Sequence, residues 1–157
     1  MPLSPTAMML LNRAEKIFHL EEWLVRVVFE KNAVEKNSKP MTLKYVNFMP
    51  REKEEYLSFV NKAEEITDEN IVDIARTHIN RGPKSPKFLA KFQIKILNTL
   101  MESNSVIDMT VNRDNDGYPY HTSVGKLPEQ EELQRAIATW IKSQAICVDI
   151  KPVIAMA

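Results

Sequence analysis

The sequence predicts a mostly helical α+β domain. Two observations carry that expectation: apolar residues recur at three- and four-residue steps over most of the chain, and the period changes to two between Val106 and Val124. A third bounds it. With 157 residues, of which 44% are apolar and 27% charged, the chain is long enough to bury one sizeable core and too apolar for disorder.

The elements follow in order. Ser4-Pro5-Thr6 reads as a helix start, and Leu10, Leu11, Ala14, Ile17, Phe18, Leu24, Val25 and Val28 form a helical apolar face that runs to about Lys31. That face is wide, since Leu20, Val27 and Phe29 join it. It suits burial on two sides, by the domain's own core or by a second copy in a homodimer. A polar linker, "NAVEKNSKP", follows, and then "MTLKYVNF" alternates like a strand. Pro50 is placed to open a helix carrying Tyr56, Phe59, Val60 and Ala63 on one side. The next helix is capped by Thr67 or Asp68, carries Ile71, Ile74, Ala75, His78 and Ile79, and stops at Gly82. Ser85-Pro86 then opens a helix predicted to reach Glu102.

Beyond it, "VIDMTV", the turn chemistry of "NRDNDG", and "YPYHTSV" predict a β-hairpin, its second strand limited to an edge or a first position by Pro119. A helix from Pro128 to Ser143 and a strand-like "AICVDIKPVIAMA" end the chain. The expected organisation is an N-terminal helix over 1–36, a core over 41–125, and a C-terminal helix and strand over 126–157. Helix, helix, basic helix and hairpin, in that order, are arranged like a winged helix-turn-helix, with the hairpin 106–124 as the wing.

Charge points the same way. The chain holds 21 basic and 21 acidic residues, yet the stretch from Ile74 to Met101 holds no acid at all, while its flanks are acidic. One patch is therefore positive, and a local field of that sign draws anions. On a helix, Lys87, Lys91 and Lys95 fall within an arc of about 80°, with Asn98 inside it and Leu89, Phe92, Ile96, Leu97 and Leu100 opposite. Arg81 and Lys84 precede that stripe, and Arg113 and Tyr118 belong to the wing. The expected role is a regulatory or accessory protein that binds DNA through these residues. Lysines favour backbone phosphates over base edges, because they lack the planar fork that pairs with guanine. Asp114 and Asp116 at the hairpin tip and the long break between Ile79 and Ser85 count against this reading. The alternative role is a non-enzymatic protein-interaction module that uses the first helix or the basic face.

Other chemistries find little support. The three glycines make no phosphate-binding loop, and Cys147 lies between Ile146 and Val148, where a thiol is a small hydrophobe. Asn112, Asp114 and Asp116 brush against a calcium-loop pattern that lacks its closing glutamate at Ser123. Glu15, His19 and Glu22 share a helical turn without a second ligand pair elsewhere. No metal, no cofactor and no catalytic residue is expected. With one cysteine, no apolar run of about 18 residues and no secretion signal, the chain is expected in the cytoplasm, without a membrane partner.

Overall fold

The computed structural model describes residues 20–30, 33–35, 41–50, 54–62, 66–79, 84–113 and 119–150. Its centre is a six-stranded antiparallel sheet in the order β4-β5-β2-β1-β3-β6. The strands are β1 (Trp23–Val28), β2 (Leu57–Lys62), β3 (Phe88–Gln93), β4 (Thr110–Arg113), β5 (His121–Gly125) and β6 (Ile146–Asp149). Among the described residues three helices accompany them, α1 (Asp68–His78), α2 (Lys95–Ser103) and α3 (Glu131–Gln144), with a 3-10 turn at Tyr45–Phe48. The expectation of a mostly helical, winged-helix-like chain is therefore wrong.

The error lies in the three central strands. Leu24 and Val28 on β1, Leu57 and Phe59 on β2, and Ala90 and Phe92 on β3 point into one core, which α2, α3 and the 3-10 turn cover through Leu97, Met101, Ile137, Ile141 and Phe48. Val25, Val27, Val60 and Leu89 point to the opposite face, which α1 covers with Ile71, Val72 and Ala75. A strand buried on both faces reads as a continuous apolar run, and such a run satisfies a wide-faced helix equally well. The sequence WLVRVV is thus β1, and the stretch predicted as a helix from Pro50 contains β2. The predicted helix from Pro86 to Glu102 is two elements, β3 and then α2, joined at Ile94. "MTLKYVNF", predicted as a strand, holds the 3-10 turn; Leu43 alone makes an isolated bridge, to Val34. Of the first predicted helix, residues 1–19 lie outside the described residues.

Where local chemistry is specific, expectation and structure agree. Thr67 accepts from the Asn70 N–H at 3.2 Å while the Asn70 side chain accepts from the Thr67 N–H at 3.0 Å, a capping box that fixes the start of α1. The hairpin forms as β4 and β5, registered Thr110 on Gly125 through Arg113 on Thr122. The C-terminal helix and strand form as α3 and β6, and Trp140 Nε1 ties α3 to the Ile96 carbonyl of α2 at 2.7 Å. At the middle of the core, Phe59 and Phe92 meet edge to face, 5.2 Å apart, a geometry worth about 0.5–1.5 kcal/mol beyond burial. Among the described residues, no helix is long and apolar enough to cross a membrane.

Candidate functional site

The lysine stripe does not survive as a stripe. Lys84 and Lys87 lie in the segment before β3, Lys91 within it, and Lys95 at the start of α2. Three of the four already hold carboxylates of this chain. Lys84 pairs with Glu30, Lys91 Nζ lies 3.2 Å from Asp68 Oδ2, and Lys95 Nζ lies 3.2 Å from Glu21 Oε2. Lys87 Nζ donates to Ser85 Oγ at 3.2 Å. Asn98, predicted on the polar arc, is buried on α2; its Nδ2 donates to Glu102 Oε1 at 3.2 Å and its Oδ1 finds no partner. Arg113 is turned into the molecule, with Nη2 donating to Asn61 Oδ1 at 2.6 Å and lying 3.9 Å from Glu22. Arg81 and Tyr118 lie outside the described residues, as do Glu15 and His19 of the metal reading and Asp114 and Asp116 of the calcium-loop reading.

The stripe exists only at helical spacing, and the strand geometry of β3 undoes it. On β3 alternate side chains oppose each other, so Lys91 shares the α1 face with Leu89. There it meets Asp68, the first residue of α1, which also takes Lys62 Nζ of β2 at 3.0 Å. Burial alone raises the Asp68 carboxyl; the hydrogen bonds and charges of Lys62 and Lys91 outweigh it and hold the group below its ordinary value. One carboxylate thus pins α1 across two strands.

Two features that the sequence did not single out are better candidates. The first is a break between β1 and β2. The ladder of β1 with β3 runs from Trp23 to Val28, whereas its ladder with β2 stops at Val25 opposite Val60. Continued by two residues, it would set Val27 opposite Ser58. Instead Arg26, only 7% exposed, sends Nη1 to the Ser58 carbonyl at 2.7 Å, its guanidinium 5.8 Å from the Phe59 ring centre. A cavity of about 360 Å³ opens there, lined by Arg26 to Glu30 on one side and Val46, Asn47 and Met49 on the other. The only signal in the sequence is a charge within a β-branched run.

The second feature is the outer strand β6. It joins the sheet through β3, and Ile146, opposite Lys91, is 52% exposed. Cys147, on the same strand, has its thiol pushed up to about 11 by burial and by the Asp149 charge, which removes it as a nucleophile near neutral pH. Elsewhere, His121 Nε2 lies 3.2 Å from Ser58 Oγ across the β2–β5 pair. Among the described residues, no three metal-ligating side chains converge. No protein-family model, no curated protein and no solved structure matches the chain.

Proposed function

We propose that the protein is a non-enzymatic interaction module whose partner is another polypeptide, taken as an extended segment along β6. The supporting observation is the character of that edge. Outer strands are normally guarded by lysine, proline, a bulge or inward charge, because an open strand edge templates further pairing. β6 is short and carries one charge, Asp149, at its end; Ile146, Cys147 and Val148 carry none of these guards, and Ile146 is half exposed. The Ile150 N–H donates to the Lys87 carbonyl, so by antiparallel alternation the backbone of Val148 and Ile146 also faces β3 and that of Cys147 faces outward. An added strand would find main-chain partners there and apolar side chains beside them.

The test is capture of a partner by wild type and by Cys147→Pro, which deletes an outward N–H at an edge position that tolerates proline. A partner retained by wild type and lost by the variant, with the melting temperature little changed, is the expected result. A partner held equally by both, or no partner for wild type, removes the proposal.

Nucleic-acid binding remains a second reading, on one observation. The Lys84 and Lys95 ion pairs are exposed, and exposed pairs contribute about 0–1 kcal/mol, so a phosphate can replace either carboxylate. Retention of a mixed-sequence duplex that falls steeply between about 50 and 200 mM salt, and loses slope in Lys87→Glu, is then expected. Absence of binding at the low-salt end disposes of this reading.

A further inference from the structure

We infer that the extended segment taken along β6 is acidic, with an apolar residue level with Ile146 and a carboxylate level with Val148, between Lys87 and Lys91. The inference rests on the β6 reading above and adds the chemistry of the partner. It starts from the strand behind the edge. β3 lies within the stretch from Ile74 to Met101 that holds no acid, and its side chains set the charge that an arriving strand meets. Across the β3–β6 pair Lys91 stands opposite Ile146 and Leu89 opposite Val148, and the Ile150 N–H donates to the Lys87 carbonyl at 3.3 Å. Leu89, Val148 and Ile150 pack in the core beneath α1, so by two-residue alternation Lys87 and Lys91 flank them on that face.

Carboxylates are scarce there. Lys91 and Lys62 share one, Asp68. Among the described residues Lys87 Nζ has one partner, the Ser85 hydroxyl. Three ammoniums therefore answer to one carboxylate, a local excess of two positive charges. The further acids of α1, Glu69 and Asp73, are exposed beside Arg76 on the side of the helix away from the buried Ile71, Val72 and Ala75. Asp149 of β6 stands opposite Phe88, which packs against the core on the other face of the sheet. An added strand lies two strand spacings, about 10 Å, from β3, and a glutamate level with Val148 sits diagonally between Lys87 and Lys91, within the combined reach of the side chains. Each ammonium carries three N–H groups, so Lys91 on Asp68 and Lys87 on Ser85 keep donors for a second acceptor. With its side chain 17% exposed, Lys91 acts from surroundings poorer in water than the open surface, where attraction for an anion is strengthened.

The experiment measures binding of three capped, fluorescently labelled peptides to the whole protein. Their pattern is Thr-Val-Thr-X-Thr-Val-Thr, with glutamate, glutamine or lysine at X; it alternates identically in both directions, so either strand orientation sets X level with Val148 and a valine level with Ile146. Fluorescence anisotropy gives the affinity, and the Cys147 amide resonance reports contact along β6. The expected result is saturable binding of the glutamate peptide, about threefold tighter than the glutamine peptide and about tenfold tighter than the lysine peptide at low salt, with the differences shrinking as salt rises. Lys87→Gln should weaken the glutamate peptide about threefold and leave the glutamine peptide unchanged. Asp68→Asn removes the carboxylate that competes for Lys91 and should tighten the glutamate peptide. Binding of the glutamine or lysine peptide as tight as that of the glutamate peptide, with the Cys147 resonance moving, overturns the inference and leaves the β6 reading in place; so does undiminished affinity of the glutamate peptide in Lys87→Gln. Failure of all three peptides to move the Cys147 resonance at about 1 mM overturns both.

Discussion

The two outer strands of the sheet, β4 and β6, each pair with a single neighbour, yet they are built differently. On β4, Thr110 and Val111 are buried, and Arg113 is drawn inward to Asn61, which itself has no exposure and reaches the Trp23 carbonyl through Nδ2 at 3.2 Å. On β6, Ile146 and Asp149 are exposed and Cys147 and Val148 are half-buried. One edge is locked by side chains that belong to the core. The other is joined by its ladder to β3 and by Cys147 and Val148, which pack against the two cores while only partly buried, and Ile146 is half exposed. An edge fastened by fully buried side chains gives stability; an edge whose side chains are only partly buried keeps apolar surface for whatever lies outside.

The largest effect that could break this contrast is a charge in each strand. Val111→Asp buries a carboxylate at a position with no exposure, and the chain should lose about 3–5 kcal/mol or fail to fold. Val148→Asp should cost less, because that side chain reaches water. Urea midpoints for the two variants decide the matter, and equal losses would make β6 as much a part of the core as β4. Next in size is Asn61→Ala, which removes the acceptor of Arg113 Nη2 and the side-chain donor to the Trp23 carbonyl from a fully buried position; a cost of about 1–3 kcal/mol in the same unfolding experiment is expected. A change below about 0.5 kcal/mol would show that Arg113 does not lock its edge.

How much of this contrast the sequence discloses depends on the kind of signal. β4, β5 and β6 are legible because an edge or a half-covered strand alternates in two-residue steps. α1 is legible because Thr67 and Asn70 form a cap within four residues of each other. β1, β2 and β3 are not, because both of their faces are covered: Phe59, Val60 and Ala63, or Leu89, Phe92 and Ile96, make helical spacing out of residues from two faces or two elements. The candidate site suffers from the same ambiguity. Lys87, Lys91 and Lys95 form a stripe only on a helix, and their partners Glu21 and Asp68 lie 74 and 23 residues away in the chain. Arg26 looks like an interruption of an apolar run, because its meaning depends on where β2 leaves β1.

A smaller effect concerns the node beside β6. Asp68 holds Lys91, the register partner of Ile146, and its carboxyl is kept below its ordinary value. A lowered folded value stabilises the protein above the unfolded carboxylate range near pH 4, and that contribution is lost as pH falls through the folded value. Asp68→Asn should therefore flatten the acid limb of stability against pH, by under about 1 kcal/mol because the group is partly exposed. An unchanged acid limb, measured by thermal melts from pH 6 downward, would assign the clamp on α1 to its apolar face alone.

The smallest effect on stability should come from Ile146→Lys, and it sharpens the comparison most. At 52% exposure the isoleucine contributes little to the core, and a lysine there carries its charge into water while its methylenes cover the same strand, so a change within about 0.5 kcal/mol is expected. The same substitution installs the guard that edge strands ordinarily carry, and the desolvation of an ammonium opposes any strand laid beside it. Binding along β6 should then fall while the melting curve stays in place, a separation that a structural role for Ile146 cannot produce. Should the melting temperature drop instead, by more than the 2–4 °C or so that about 1 kcal/mol shifts a domain of this size, Ile146 belongs to the core and β6 is as closed as β4.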